Sequence, residues 1–123
     1  MLFYSGLTLG VSVLTGIALL ALYQWVKPAG RIWLPGAAHG LIGVAGSGLL
    51  LAGLQGPARG VHSGAGSFGT IAAVLLAGAL ALGLLVAAGR LRRKRPSALV
   101  LGLHATLAVT GLTLLAAYVS APP

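Results

Sequence analysis

The chain has 123 residues, 58% of them hydrophobic and 7% charged, and its 8 Lys and Arg face no Asp or Glu, for a net charge of +8. Soluble domains carry about a quarter charged residues of both signs, so this composition excludes an ordinary water-soluble fold. With no side-chain carboxylate and no cysteine, it also excludes chemistry built on Asp or Glu, carboxylate sites for hard cations, disulfides, iron–sulfur clusters and Cys-type zinc.

Four apolar runs without Lys, Arg, Asp or Glu follow one another, at Leu2 to Val26, Trp33 to Leu54, Phe68 to Gly89 and Ser97 to Val119. About 20 such residues span a bilayer, so the sequence predicts an all-α, integral membrane, up-down four-helix bundle forming a single domain, with helices at 2–26, 33–54, 68–89 and 97–119. Period-two alternation is missing, which excludes a membrane barrel. The first run has no basic segment ahead of it and is too long for a signal peptide, so it is expected to be a retained span.

Lys27-Pro28-Ala29-Gly30-Arg31 ends the first run, Pro35 suits the first turn of the second helix and Pro96 that of the fourth. Gln55 to Gly66, rich in Gly and Ser, reads as a flexible loop. Lys27, Arg31, Arg90, Arg92, Arg93, Lys94 and Arg95 mark one side, and Arg59 alone the other. By the positive-inside rule the first and third loops face the cytoplasm of a bacterial inner membrane and both termini lie outside. The basic residues do not interleave with exposed aromatics, which argues against nucleic acid as a partner.

Lipid supplies no hydrophobic drive between helices, so small residues must allow close approach. Gly6-xxx-Gly10, Gly36-xxx-Gly40 and Ala79-xxx-Gly83-xxx-Ala87 are expected to be packing faces. Trp25, Trp33 and Tyr23 near one boundary and Tyr118 near the other fit an aromatic belt.

Two of the three histidines lie inside spans. His39 precedes Gln55, and His104 precedes Ser120, by the same interval, which places both imidazoles roughly 24 Å from the outer face at about 1.5 Å per residue. Aligning them also aligns Val44 with Val109, Gly46 with Gly111, Leu49 with Leu114, Leu50 with Leu115 and Ala52 with Ala117, a hint of internal duplication. Two inward imidazoles at one depth, from diagonal helices, can hold a haem iron from both sides. Gly46 and Gly111 would leave a side-chain-free strip for the flat ring, and Lys27, Arg31 and the Arg90 to Arg95 cluster would meet its propionates. His62, in the middle loop, reads as an exposed histidine without a ligand role.

The segments AAHGLIGVAG and GLHATLAVTG around His39 and His104 resemble those of small bacterial b-type membrane cytochromes of the cytochrome b561-like kind. That resemblance implies haem b bound through transmembrane histidines and an electron-transfer role. Such proteins commonly carry two haems and a histidine on the first helix, which this chain lacks, so the resemblance extends to one haem. A second class stays open: a non-catalytic accessory subunit of a respiratory or photosynthetic complex, whose histidines bond neighbouring hydroxyls from the set Ser5, Thr8, Ser12, Thr15, Thr106 and Thr110. Either class places the chain in lipid beside other subunits, with quinone as a further candidate contact, and neither makes it a stand-alone enzyme.

Overall fold

The computed structural model describes residues 1–25, 33–92 and 94–122. They form four helices: α1 (Leu2–Trp25), α2 (Trp33–Gly53), α3 (Phe68–Leu91) and α4 (Ala98–Ser120). No strand occurs among the described residues. Each helix is long and apolar enough to cross a membrane, with mean hydropathies of 2.0, 1.4, 2.6 and 1.9 over their most apolar stretches. Leucines such as Leu14, Leu41, Leu84 and Leu99 lie on the outside, more than 60% exposed. A soluble monomer does not present so much contiguous apolar surface. The helix ends differ from the expected ones by a residue or two; α3 runs on to Leu91, into the basic stretch. Ser97 stands at the N-cap position of α4, without a side-chain cap hydrogen bond, so Pro96 precedes that helix instead of filling its first turn.

α1 packs mainly on α2 and α3 on α4, with lesser contacts of α1 with α4 and α2 with α3. Two antiparallel hairpins therefore make a four-cornered bundle in which α2 and α4 stand diagonally. Each hairpin closes along a seam of period seven. In the first, a methyl added at Gly53 would lie 2.8 Å from Leu2, at Gly46 2.7 Å from Leu9, and at Gly16 2.9 Å from His39. In the second, a methyl at Gly69 would lie 2.7 Å from Tyr118, at Gly111 2.8 Å from Leu76, and at Gly83 3.1 Å from His104. At every step a glycine on one helix receives a large side chain from the other, the knob-and-hole packing that a seven-residue repeat supports.

The two hairpins repeat one another. Leu9 with Gly46 corresponds to Leu76 with Gly111, and Gly16 with His39 to Gly83 with His104. Leu2 with Gly53 corresponds to Gly69 with Tyr118, the large and small partners exchanged. Ser5 and Ala72, equivalent positions on α1 and α3, are both fully buried, as are Leu50 and Leu115 on α2 and α4. His39 meets His104, and Tyr23 meets Arg90. Equivalent residues that touch lie at the axis relating the repeats, so a pseudo-two-fold axis passes between the hairpins.

Packing is uneven along that axis. Among the described residues every buried one belongs to 1–12, 46–79 or 111–121, the half holding the termini and middle loop. In the other half, among residues whose exposure is described, none of 13–23, 33–45, 80–92 or 98–110 is buried. The terminal half is a closed core of Leu9, Leu50, Ala72, Leu76 and Leu115, and in the basic half the hairpins meet through His39 with His104 and Tyr23 with Arg90.

The stripes of spacing four are not the packing faces. Added methyls at Gly6, Gly10, Gly36 and Gly40 would meet nothing within 4 Å, and Ala87 is exposed; only Ala79 and Gly83 of the third stripe are used. The middle loop is also more constrained than its composition implies. Arg59 donates from Nη2 and Nε to the Ala121 carbonyl at 2.8 and 3.2 Å, and its backbone N–H donates to the Tyr118 hydroxyl at 3.2 Å. Gly60, at φ 66°, donates to the Pro122 carbonyl at 2.9 Å. A side chain there would be strained by the left-handed backbone and would strike Ala65 and Ala121, both 2.8 Å from a methyl. Tyr118 is buried in this clamp, not set in a belt at the surface.

Candidate functional site

His39 and His104 are the third step of the two seams, at the level where the closed half gives way to the basic one. Their ring centroids are 5.9 Å apart and their planes are inclined at 78°. The His39 Nδ1–H donates to the Ser12 carbonyl of α1 at 2.9 Å, and the His104 Nδ1–H to the Ala79 carbonyl of α3 at 2.7 Å. A carbonyl only accepts, so both Nδ1 atoms carry hydrogen and, in the neutral ring, each Nε2 keeps its lone pair. Gly16 and Gly83 make this possible. Each lies one turn beyond the accepting carbonyl, where a methyl would occupy the space of the imidazole.

The surroundings differ in one respect. The Ser12 hydroxyl lies 3.4 Å and the Thr15 hydroxyl 3.5 Å from His39 Nδ1, and the Ser12 hydroxyl also donates to the His39 carbonyl at 3.2 Å. At the equivalent positions of the second hairpin stand Ala79 and Leu82. Of the hydroxyls expected to bond a histidine, Ser5 instead donates to the Gly46 carbonyl at 3.0 Å, while Thr8 and Thr106 bond carbonyls of their own helices.

The other site residues fall out differently. Gly46 and Gly111 are buried, but the strip expected to stay free beside them is filled by Leu9 and Leu76; these glycines set the helix separation. Lys27 and Arg31 lie outside the described residues. His62 is exposed in the loop, at the far end from the histidine pair. Gly16 was not among the residues the sequence singled out, although His39-x6-Gly46-x6-Gly53 carried the period that would have led to it.

Two imidazoles alone do not satisfy a bare transition metal. Among the described residues no group of three or more His, Cys, Asp or Glu side chains comes together, whereas a protein-held zinc ion takes three or four ligands. The donor set suits a metal that brings its own equatorial ligands. No family model, curated protein or solved structure matches the chain.

Proposed function

We propose that this chain is an integral membrane b-type cytochrome or cytochrome subunit that carries electrons through one haem b ligated by His39 and His104. The observation that carries the reading is the pair of imidazoles, 5.9 Å apart at the pseudo-two-fold axis, each anchored through Nδ1 to a carbonyl of the neighbouring helix. Such a bond holds a ligating imidazole in its orientation and leaves Nε2 for the metal. Haem bound there would supply the one-electron chemistry. The excess of basic residues at the end holding the first and third loops supports, by the positive-inside rule, a cytoplasmic side there in a bacterial inner membrane, with both termini outside.

The purified protein is expected to be red, with a sharp visible band on reduction by dithionite. His39→Ala and His104→Ala are each expected to lose most of the haem or turn it high-spin while still inserting, since the spans stay apolar. A colourless protein, or variants with unchanged spectra, would leave the second reading. In that one the chain is an accessory subunit of a respiratory or photosynthetic complex, and the histidines tie α2 to α1 and α4 to α3 through the same Nδ1 bonds.

A further inference from the structure

Seven residues beyond Gly16 on α1 stands Tyr23, and seven beyond Gly83 on α3 stands Arg90. Seven residues make about two turns, so both lie on the faces that receive the imidazoles, roughly 10 Å nearer the basic end. The two meet: the Arg90 guanidinium carbon sits 4.6 Å from the centre of the Tyr23 ring, within cation–π range. They occupy equivalent positions of the two repeats, as His39 and His104 do, so they lie on the same pseudo-two-fold axis, bridging the hairpins at the basic end.

A cation at the C-terminal end of α3 is favoured by the helix dipole. The dipole does not account for its being aimed onto a ring of the other hairpin. No Asp or Glu exists in the chain, so no acidic side chain can partner this guanidinium. The five N–H donors of an arginine match a carboxylate in a bidentate fork. A ring beneath the guanidinium restrains it while leaving its donor edge free.

We propose that Arg90, held over Tyr23, is the anion-binding residue at the basic end of the histidine pair. It takes a carboxylate of the group lying between the histidines, so that this group is seated with its acidic edge toward the basic end. The assignment rests on the haem reading and specifies which way round the haem lies. Because a lipid phosphate could meet the same guanidinium, the test separates the two sources.

The apoprotein is titrated with haem and with haem dimethyl ester, whose carboxylates are masked, for the wild type, Arg90→Gln, Arg90→Lys and Tyr23→Ala. The titrations are run in neutral detergent and in nanodiscs containing phosphatidylglycerol. Arg90→Gln is expected to weaken haem binding about tenfold or more, the worth of a charge-assisted hydrogen bond, and to leave dimethyl ester binding unchanged. Arg90→Lys and Tyr23→Ala are expected to fall between, and the pattern to be the same in both media. Equal haem affinity in Arg90→Gln and wild type would overturn the assignment, as would equal loss of both ligands. An effect confined to the anionic nanodiscs would overturn it in favour of the lipid headgroup. A wild type that takes up neither ligand would overturn the haem reading and this assignment with it.

Discussion

The terminal and basic halves of the bundle are built from the same helices and the same seven-residue seams, yet they use them for different ends. In the terminal half the large members of the seam are Leu2, Leu9, Leu76 and Tyr118, and they close the core around Leu50 and Leu115, 1% and 0% exposed. One step further on the large members are His39 and His104. There full burial stops, and the two hairpins meet through these imidazoles. A single repeat thus builds a rigid clamp at one end and presents a pair of histidines at the other, because only the residue filling each glycine notch changes. The glycine notch itself is indifferent to whether leucine, tyrosine or histidine enters it.

If the halves divide labour in this way, variants should separate stability from cofactor content. Leu50→Ala and Leu115→Ala, in the closed half, should each cost about 2 kcal/mol or more of unfolding free energy through the cavity they leave. Unfolding in mixed micelles measures the cost, and the folded fraction should keep its full haem content. Gly16→Val and Gly83→Val, in the basic half, should act the other way. Even the first added carbon would lie 2.9 and 3.1 Å from the imidazoles, so ring displacement should remove most bound haem, read as haem per protein, at a stability cost of about 1–3 kcal/mol.

Arg59→Gln should release the clamp on the Ala121 carbonyl at a cost of about 1 kcal/mol, with the visible spectrum unchanged. Smallest of all, Gly40→Ala should alter stability by no more than about 0.5 kcal/mol and leave haem content alone, since nothing lies within 4 Å of the added methyl. A large loss of haem in Arg59→Gln, or in His62→Ala, would mean that the two ends are not independent.

Much of the fold was legible because four runs long and apolar enough to cross a membrane mark the four helices. Apolar length sets the spans, and the basic breaks at Lys27 to Arg31 and Arg90 to Arg95 set their ends to within a residue or two. The level shared by His39 and His104 was legible from their common distance to Gln55 and Ser120. The packing period was harder to see. Small-xxx-small spacing drew attention to Gly6, Gly10, Gly36 and Gly40, whereas the helices meet on a spacing of seven, with one small and one large partner at each step. That pairing is written across two helices, so no single segment displays it. The kinship of α1 and α3 was hidden for a related reason. Leu9 and Leu76, and Gly16 and Gly83, are kept, but Ser5 faces Ala72, Ser12 faces Ala79 and Tyr23 faces Arg90. The buried role of Tyr118 was not legible because its hydroxyl partner is the backbone of a loop nearly half the chain away.

The central claim is that His39 and His104 hold one haem iron between them, and near-infrared magnetic circular dichroism of the oxidised, purified protein tests it most directly, since it distinguishes axial ligand pairs. The account predicts a single low-spin haem with two imidazole ligands in the wild type and loss of that signature in both His39→Ala and His104→Ala. A haem with any other ligand pair, or a bis-imidazole signal that survives either substitution, would contradict it.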